Sequence, residues 1–361
     1  MDVKNQIKTL KPYQPGKTIE SVKKEYGLEK VIKLASNENP FGCSKKAVQA
    51  IQQSLHELAI YPDGYATELR EAVAKKLNVD EESLIFGNGS DEVIEILSRS
   101  ILHPGDNIVT AWPTFSQYRH NAIIEGADII EVPLKDGGHD LEAMKQAINE
   151  QTKIVWVCNP NNPSGTYVSN DVLVSFLEQV PSNILVVLDE AYKEYVVAED
   201  YPDSIALLER FPNVTVLRTF SKAYGLAALR VGYGVGNKEF VTMLNAAREP
   251  FNNVRMSQFA AAAALADDDF IETCRQKNRE GLEKFYSFCE KHGLTYYPSQ
   301  TNFILVDFNR PGNEVFDYLL KKGYIVRSGE ALGFPTCVRI TVGTEEEVDG
   351  VLSAIEQLIK K

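Results

Sequence analysis

Lys222 stands between the hydroxyls of Thr219 and Ser221 on one side and Arg230 on the other. A primary amine can form a Schiff base with an aldehyde, and hydroxyls with an arginine can hold a phosphate. The residues between, Ala223, Gly225, Leu226, Ala227, Ala228 and Leu229, are small or apolar apart from Tyr224. Such a surround lowers a lysine's pKa, which Schiff-base chemistry needs. Pyridoxal phosphate carries both an aldehyde and a phosphate, so the segment suits amine chemistry on that cofactor. Taken alone, a lysine is by default an exposed surface charge.

Three other stretches could serve the same chemistry. Gly87-Asn88-Gly89-Ser90-Asp91-Glu92 precedes the apolar-periodic run 93–102. Glycines before a helix let the backbone approach a phosphate, and the helix start offers free N–H groups. A glycine turn with a Ser or Asp cap would look the same. Asn159-Pro160-Asn161-Asn162-Pro163-Ser164-Gly165 follows the strand-like run 154–158. Ligands of open α/β sheets bind outside such strand ends, although a plain Pro/Asn turn also fits. Asp189 closes the apolar run 184–188, ahead of Glu190, Ala191 and Tyr192. An acid at a buried strand end is costly unless partnered. A protonated pyridine nitrogen would be such a partner; so would a salt bridge or a cap. His56, His103, His120, His139 and His292 all lie outside these stretches and read as surface or packing residues. Neither a histidine general base nor a metal cluster is expected.

The elements that must position these groups follow from the apolar pattern. The runs 154–158, 184–188 and 214–217 read as buried strands, with helical pieces over 173–180 and Ser204–Arg210 between them. Such alternation predicts a mostly parallel sheet covered by helices. Helices are expected over 239–248 and 270–292, the latter stopping at Gly293. The tail, with strands over 303–308, 324–327 and 337–342 and helices over 314–322 and Glu345–Ile359, reads as a smaller α+β domain. The expected division is a large domain over 31–250 and a small one from 1–30 and 251–361.

Composition sets the outer limits. A chain of 361 residues, 44% hydrophobic, can bury a sizeable core, roughly two domains' worth. Its net charge of -12, without a basic run, excludes nucleic acid or an anionic membrane as the main partner. The five cysteines are scattered without a CxxC, which points to a reducing cytoplasm and away from a disulfide frame or zinc site. No secretory signal and no span of ~20 apolar residues is present in the sequence.

In this order, over 87–230, the four stretches resemble fold-type I pyridoxal-phosphate enzymes, the aspartate aminotransferase superfamily. The finer pattern is similar to the histidinol-phosphate aminotransferase family. It is carried by Leu34-Ala35-Ser36-Asn37-Glu38-Asn39-Pro40, Tyr61-Pro62-Asp63-Gly64, Asp189-Glu190-Ala191-Tyr192, the Lys222 segment and Val338-Arg339-Ile340-Thr341-Val342-Gly343-Thr344. The resemblance spans about 13–344. It implies Lys222 as the cofactor-linked, proton-shuttling lysine. Asp189 would face the pyridinium nitrogen, and Tyr192 with Asn162 the phenolate oxygen. Ser90 and Asp91, Asp91 through its N–H, would hold the phosphate with Thr219, Ser221 and Arg230. Phe115 would stack on the ring, and Tyr61 would reach the phosphate of the neighbouring subunit of a homodimer. Tyr13, Arg327 and Arg339 would hold the substrate's anionic group. The implied reaction is transamination between histidinol phosphate and 2-oxoglutarate. A tyrosine/phenylalanine aminotransferase, or a phospho-amino-acid decarboxylase or lyase, shares the same cofactor residues and stays open.

Overall fold

In the computed structural model, residues 2–10 and 16–360 are described. The strands, in chain order, are β1 (Ile32–Lys33), β2 (Leu84–Gly87), β3 (Asn107–Trp112), β4 (Asp128–Pro133), β5 (Thr152–Cys158), β6 (Leu185–Asp189), β7 (Val214–Thr219), β8 (Gly232–Gly236), β9 (Thr295–Tyr297), β10 (Phe303–Asp307), β11 (Tyr324–Ile325), β12 (Arg327–Ser328) and β13 (Cys337–Thr341). Their runs of Val, Ile and Leu suit strands buried on both faces. Seven of them form the main sheet, in the order β2-β8-β7-β6-β5-β3-β4. All run parallel except β8, which is antiparallel to both neighbours.

Alternate residues point to opposite faces, and both faces are covered. On one, Ile108, Ile154, Trp156, Val187 and Leu217 pack with Val93, Ile94 and Leu97 of the helix Ser90–Ile101. On the other, Val109, Val155, Val157, Val186 and Leu188 pack with Leu141, Met144, Leu173 and Phe176. The expectation of an α/β fold, with a mostly parallel sheet flanked by helices, therefore holds.

A second, antiparallel sheet has the order β12-β13-β10-β9. Its core residues Ile304, Val306, Val338 and Ile340 pack with the helices Asp268–His292, Gly312–Lys321 and Glu345–Ile359. The helix Arg255–Leu265 packs instead beside Lys45–Ser54 and Thr67–Leu77 of the larger unit, through Ala260, Ala261 and Ala264. The N-terminal segment is also divided. Val22 of the helix Ile19–Tyr26 packs against Leu320 and Ile325. The 3-10 turn Asn5–Thr9 lies near the helix Gln117–Glu125, where Gln6 Nε2 donates to Ile124 O at 3.2 Å.

Several elements differ from the sequence expectation. The expected strand over 324–327 is two: β11 pairs with β1, and β12 pairs with β13, so the chain changes sheets at Val326. The expected helix over 239–248 ends at Leu244 and tightens into a 3-10 turn, Asn245–Ala247. Strand β8 has glycine at alternate positions, a composition that argues against a strand. Packing explains it: a Cβ on Gly234 would lie 3.1 Å from Ile85 Cγ2 and 3.2 Å from Leu217 Cδ2.

Candidate active site

Parallel strands bring their C-terminal ends to one edge of the sheet, and the loops leaving that edge meet there. Strand β5 ends before the turn containing Asn162, β6 ends at Asp189, and β7 ends at Thr219, ahead of Ser221 and Lys222. The register sets Gly87, Gly232 and Thr219 in one row across β2, β8 and β7. The helix Ser90–Ile101 begins against that row.

Glycine is required at that meeting point. A Cβ on Gly232 would lie 2.5 Å from Ser90 N and 3.0 Å from Arg218 O. Gly89 has φ 75° and caps the helix without a side chain. The first-turn N–H groups therefore have no side-chain cap to satisfy them. Arg230 closes the other side, with Nη1 donating to Ser221 Oγ at 3.1 Å and Nη2 lying 3.4 Å from both Asn88 O and Asp91 Oδ2. Ser221 N donates to Thr219 Oγ1 at 3.1 Å. Two hydroxyls, a helix start and a guanidinium thus converge, which is the composition of a phosphate cradle. Asp91 opposes an anion through its carboxylate, although burial pushes its pKa up.

Asp189 is buried, with 2% of its surface exposed. Tyr118 Oη donates to its Oδ2 at 2.7 Å, and Ala191 N to its Oδ1 at 3.2 Å. Among the described residues no Lys, Arg or His pairs with it. Burial pushes its carboxyl up to about 6, against the pull of the Tyr118 hydrogen bond. A buried acid without a countercharge is a site for a cation, and a protonated ring nitrogen supplies one. Tyr118 is stacked on Trp156, with centroids 4.6 Å apart, and meets Phe115 edge-on at 5.6 Å.

Lys222 Nζ donates to Ser36 O at 3.3 Å and lies 5.8 Å from the Tyr192 ring centroid. Burial, then the Arg339 charge, bring its pKa down to about 8. Tyr192 Oη accepts from Asn37 Nδ2 at 2.9 Å, and burial pushes this phenol well up. Arg339 is buried; its Nη1 donates to Asn162 Oδ1 at 2.6 Å and its Nη2 to Ala35 O at 2.7 Å. That bond occupies the Asn162 amide oxygen and leaves its N–H groups as donors. Arg327 is directly opposite Arg339 in the β12–β13 ladder, so the two arginines share a face.

Lys222, Asp189, Tyr192, Asn162, Ser90, Asp91, Thr219, Ser221, Arg230, Phe115 and Arg339 therefore cluster at one edge. Tyr61 does not join them: it is 76% exposed and stacked on Phe251, with centroids 4.8 Å apart. Tyr13 lies outside the described residues. The residues present fit pyridoxal phosphate at both ends, through the cradle at Ser90 and the lone carboxylate of Asp189.

Four contributors were missed in the sequence. Tyr118 lies in the first turn of the helix Gln117–Glu125, and its partner Asp189 is 71 residues away in the chain. Asn37, at φ 57°, links Tyr192 to Thr341, whose Oγ1 accepts from Asn37 N at 3.0 Å. The Glu190–Arg218 pair lies buried directly beneath the site.

An amine of lowered pKa beside a phosphate cradle and a lone buried acid defines an enzyme of pyridoxal-phosphate chemistry on amino groups. The chain belongs to the class I and II aminotransferases, whose family profile matches residues 29–355. A histidinol-phosphate aminotransferase of Bacillus velezensis is 61% identical, over 99% of this chain and 100% of that protein. The Bacillus subtilis protein of the same description is 58% identical, over 99% and 100%. The crystal structure of the Sinorhizobium meliloti histidinol-phosphate aminotransferase, in complex with pyridoxal-5'-phosphate, superposes with TM-score 0.90 at 28% identity, covering 99% of this chain and 97% of that one.

Proposed function

We infer that this protein catalyses pyridoxal-phosphate-dependent transamination between L-histidinol phosphate and 2-oxoglutarate, giving imidazole-acetol phosphate and glutamate, in histidine biosynthesis. One observation carries the substrate: the likeness to histidinol-phosphate aminotransferases runs the full length of the chain at 61% identity. When bound, pyridoxal phosphate supplies a conjugated ring that accepts the electron pair left when a proton leaves the substrate's α-carbon.

The chain's own residues do the rest. Lys222, with its pKa near 8, would take the proton from the substrate's α-carbon and return it two bonds away, on the far side of the amino nitrogen. Asp189 would pair with the ring nitrogen and favour its protonated, electron-drawing form. Tyr192 and Asn162 would hold the phenolate oxygen, and Phe115 would stack on the ring. The helix start at Ser90 and Asp91, with Thr219, Ser221 and Arg230, anchors the phosphate. Arg339 grips the carboxylate of glutamate or the phosphate of histidinol phosphate, and Arg327 and Tyr13 assist with the latter. Arginine suits both anions through its planar fork.

The working unit in this reading is a homodimer, in which Tyr61 reaches the neighbouring subunit's phosphate site. Its exposure and its stacking on Phe251 support that role. The division proposed is 31–250 against 1–30 and 251–361, with the helix Arg255–Leu265 and the turn Asn5–Thr9 packed on the larger unit. A cytoplasmic location fits the free cysteines and the absence, among the described residues, of any helix long and apolar enough to cross a membrane.

Spectra of the purified protein test the reading. Added L-histidinol phosphate should convert the lysine-linked yellow form to the amine form, and 2-oxoglutarate should restore it. Much faster conversion by tyrosine would make the protein an aromatic-amino-acid aminotransferase. Release of carbon dioxide without a keto acid would make it a decarboxylase.

A further inference from the structure

The Glu190 carboxylate is only 1% exposed, yet it makes four polar contacts. Arg218 Nε and Nη2 donate to its Oε2 at 3.0 and 2.8 Å. Ser204 Oγ donates to its Oε1 at 2.6 Å. The Tyr201 hydroxyl lies 3.2 Å from Oε1 and 2.5 Å from Asn159 O, so its one proton is shared between two acceptors. Lys193 Nζ sits over the Tyr201 ring at 4.5 Å.

Each partner is next to a group of the site. Glu190 follows Asp189 in sequence, and its N–H donates to Leu217 O at 2.9 Å. Arg218 precedes Thr219. Asn159 opens the turn that carries Asn162, and its N–H donates to Asp189 O at 2.9 Å. One carboxylate thus ties together the ends of β5, β6 and β7, from which the ring contacts, the phosphate hydroxyls and Lys222 all project. Replacing a buried ion pair with well-packed apolar residues is often neutral for stability, so stability alone is weak grounds for such a pair. Its position beneath three functional segments points elsewhere.

We propose that Glu190 and Arg218 are a positioning pair for the cofactor, fixing Asp189, Thr219 and Asn162 relative to one another through the carboxylate of Glu190 and the bridge of Tyr201. The proposal rests on the cofactor reading above. Groups that orient the residues contacting a cofactor act by limiting their play, and a loose supporting layer weakens a site whose contacts are all present.

The test uses purified full-length protein, stripped of cofactor and titrated with pyridoxal phosphate. The double variant Glu190→Leu/Arg218→Met removes both charges at similar volume. It should melt close to wild type in the cofactor-free state, yet bind pyridoxal phosphate more weakly by about tenfold or more, the scale lost behind metal ligands. The absorbance maximum of the lysine-linked form should also shift. Tyr201→Phe keeps every charge and the fold, and should weaken binding about fivefold, the scale of one buried hydrogen bond. Wild-type affinity and spectrum in Tyr201→Phe, or in a folded double variant, would show the pair to be merely structural and overturn the proposal. Should the double variant not fold, Tyr201→Phe decides alone. A wild-type protein that forms no coloured adduct would instead overturn the cofactor reading.

Discussion

Lys222 is set apart from other lysines by a pKa of about 8. At pH 8 half of such amines are neutral, against roughly 1 in 300 for an unperturbed lysine. Pyridoxal phosphate added to cofactor-free protein and then reduced with borohydride should therefore be found on Lys222 ahead of any surface lysine when peptides are mapped. Lys222→Ala should lose the yellow colour and roughly 10²–10⁴-fold of kcat with its circular dichroism unchanged; a coloured, active variant would defeat the assignment. Asp189 gives a pH signature. Its carboxyl is raised from 3.8 to about 6, so the cofactor-free native state holds a proton that the unfolded chain releases. That contribution is full below pH ~4 and lost as pH rises through about 6. Asp189→Asn cannot ionise, so the melting temperature of cofactor-free variant should vary less with pH between 4 and 6 than that of wild type. Parallel curves would place the titration on another group. Lys222, Asp189 and Arg230 were legible in the sequence because each carries a local signature. Tyr118 and Asn37 were not, because their partners lie 71 and 155 residues away.

At the scale of elements, the phosphate cradle depends on β8 lying flush against the start of the helix Ser90–Ile101. Gly232→Ala puts a methyl 2.5 Å from Ser90 N, so backbone must move. The expected outcome is weaker pyridoxal phosphate binding, read by titration, together with a lower melting temperature. Gly16→Ala, where a Cβ meets nothing within 4 Å, is the matched control. Equal affinities in the two variants would show that the cradle tolerates a shift of β8. The apolar runs of β5, β6 and β7 announced the centre of the sheet, since strands buried on both faces must be continuously apolar. The glycines of β8 concealed a strand, because their role is to spare the neighbours' side chains. The break at Val326 was equally hidden: the residues on both sides favour strands, and only the existence of two sheets divides them.

At the scale of the whole molecule, the dimer reading makes a quantitative demand. If each site takes Lys222 from one subunit and Tyr61 from the other, Lys222→Ala and Tyr61→Phe complement one another. Each hybrid dimer then rebuilds one intact site, so an equal mixture, refolded together, should recover about a quarter of wild-type activity. A mixture no better than its components would remove Tyr61 from the neighbouring site. The contact between Asn37 and Thr341 joins residues 304 apart in the chain. Ala35, in the same segment, meets Arg339 across the same distance. During synthesis from the N-terminus, Lys222, Asp189 and the helix start at Ser90 leave the ribosome long before Arg339 and Thr341. The early segment 35–37 therefore waits for the last strand of the chain, and its contacts with Arg339 and Thr341 form only when translation is almost complete.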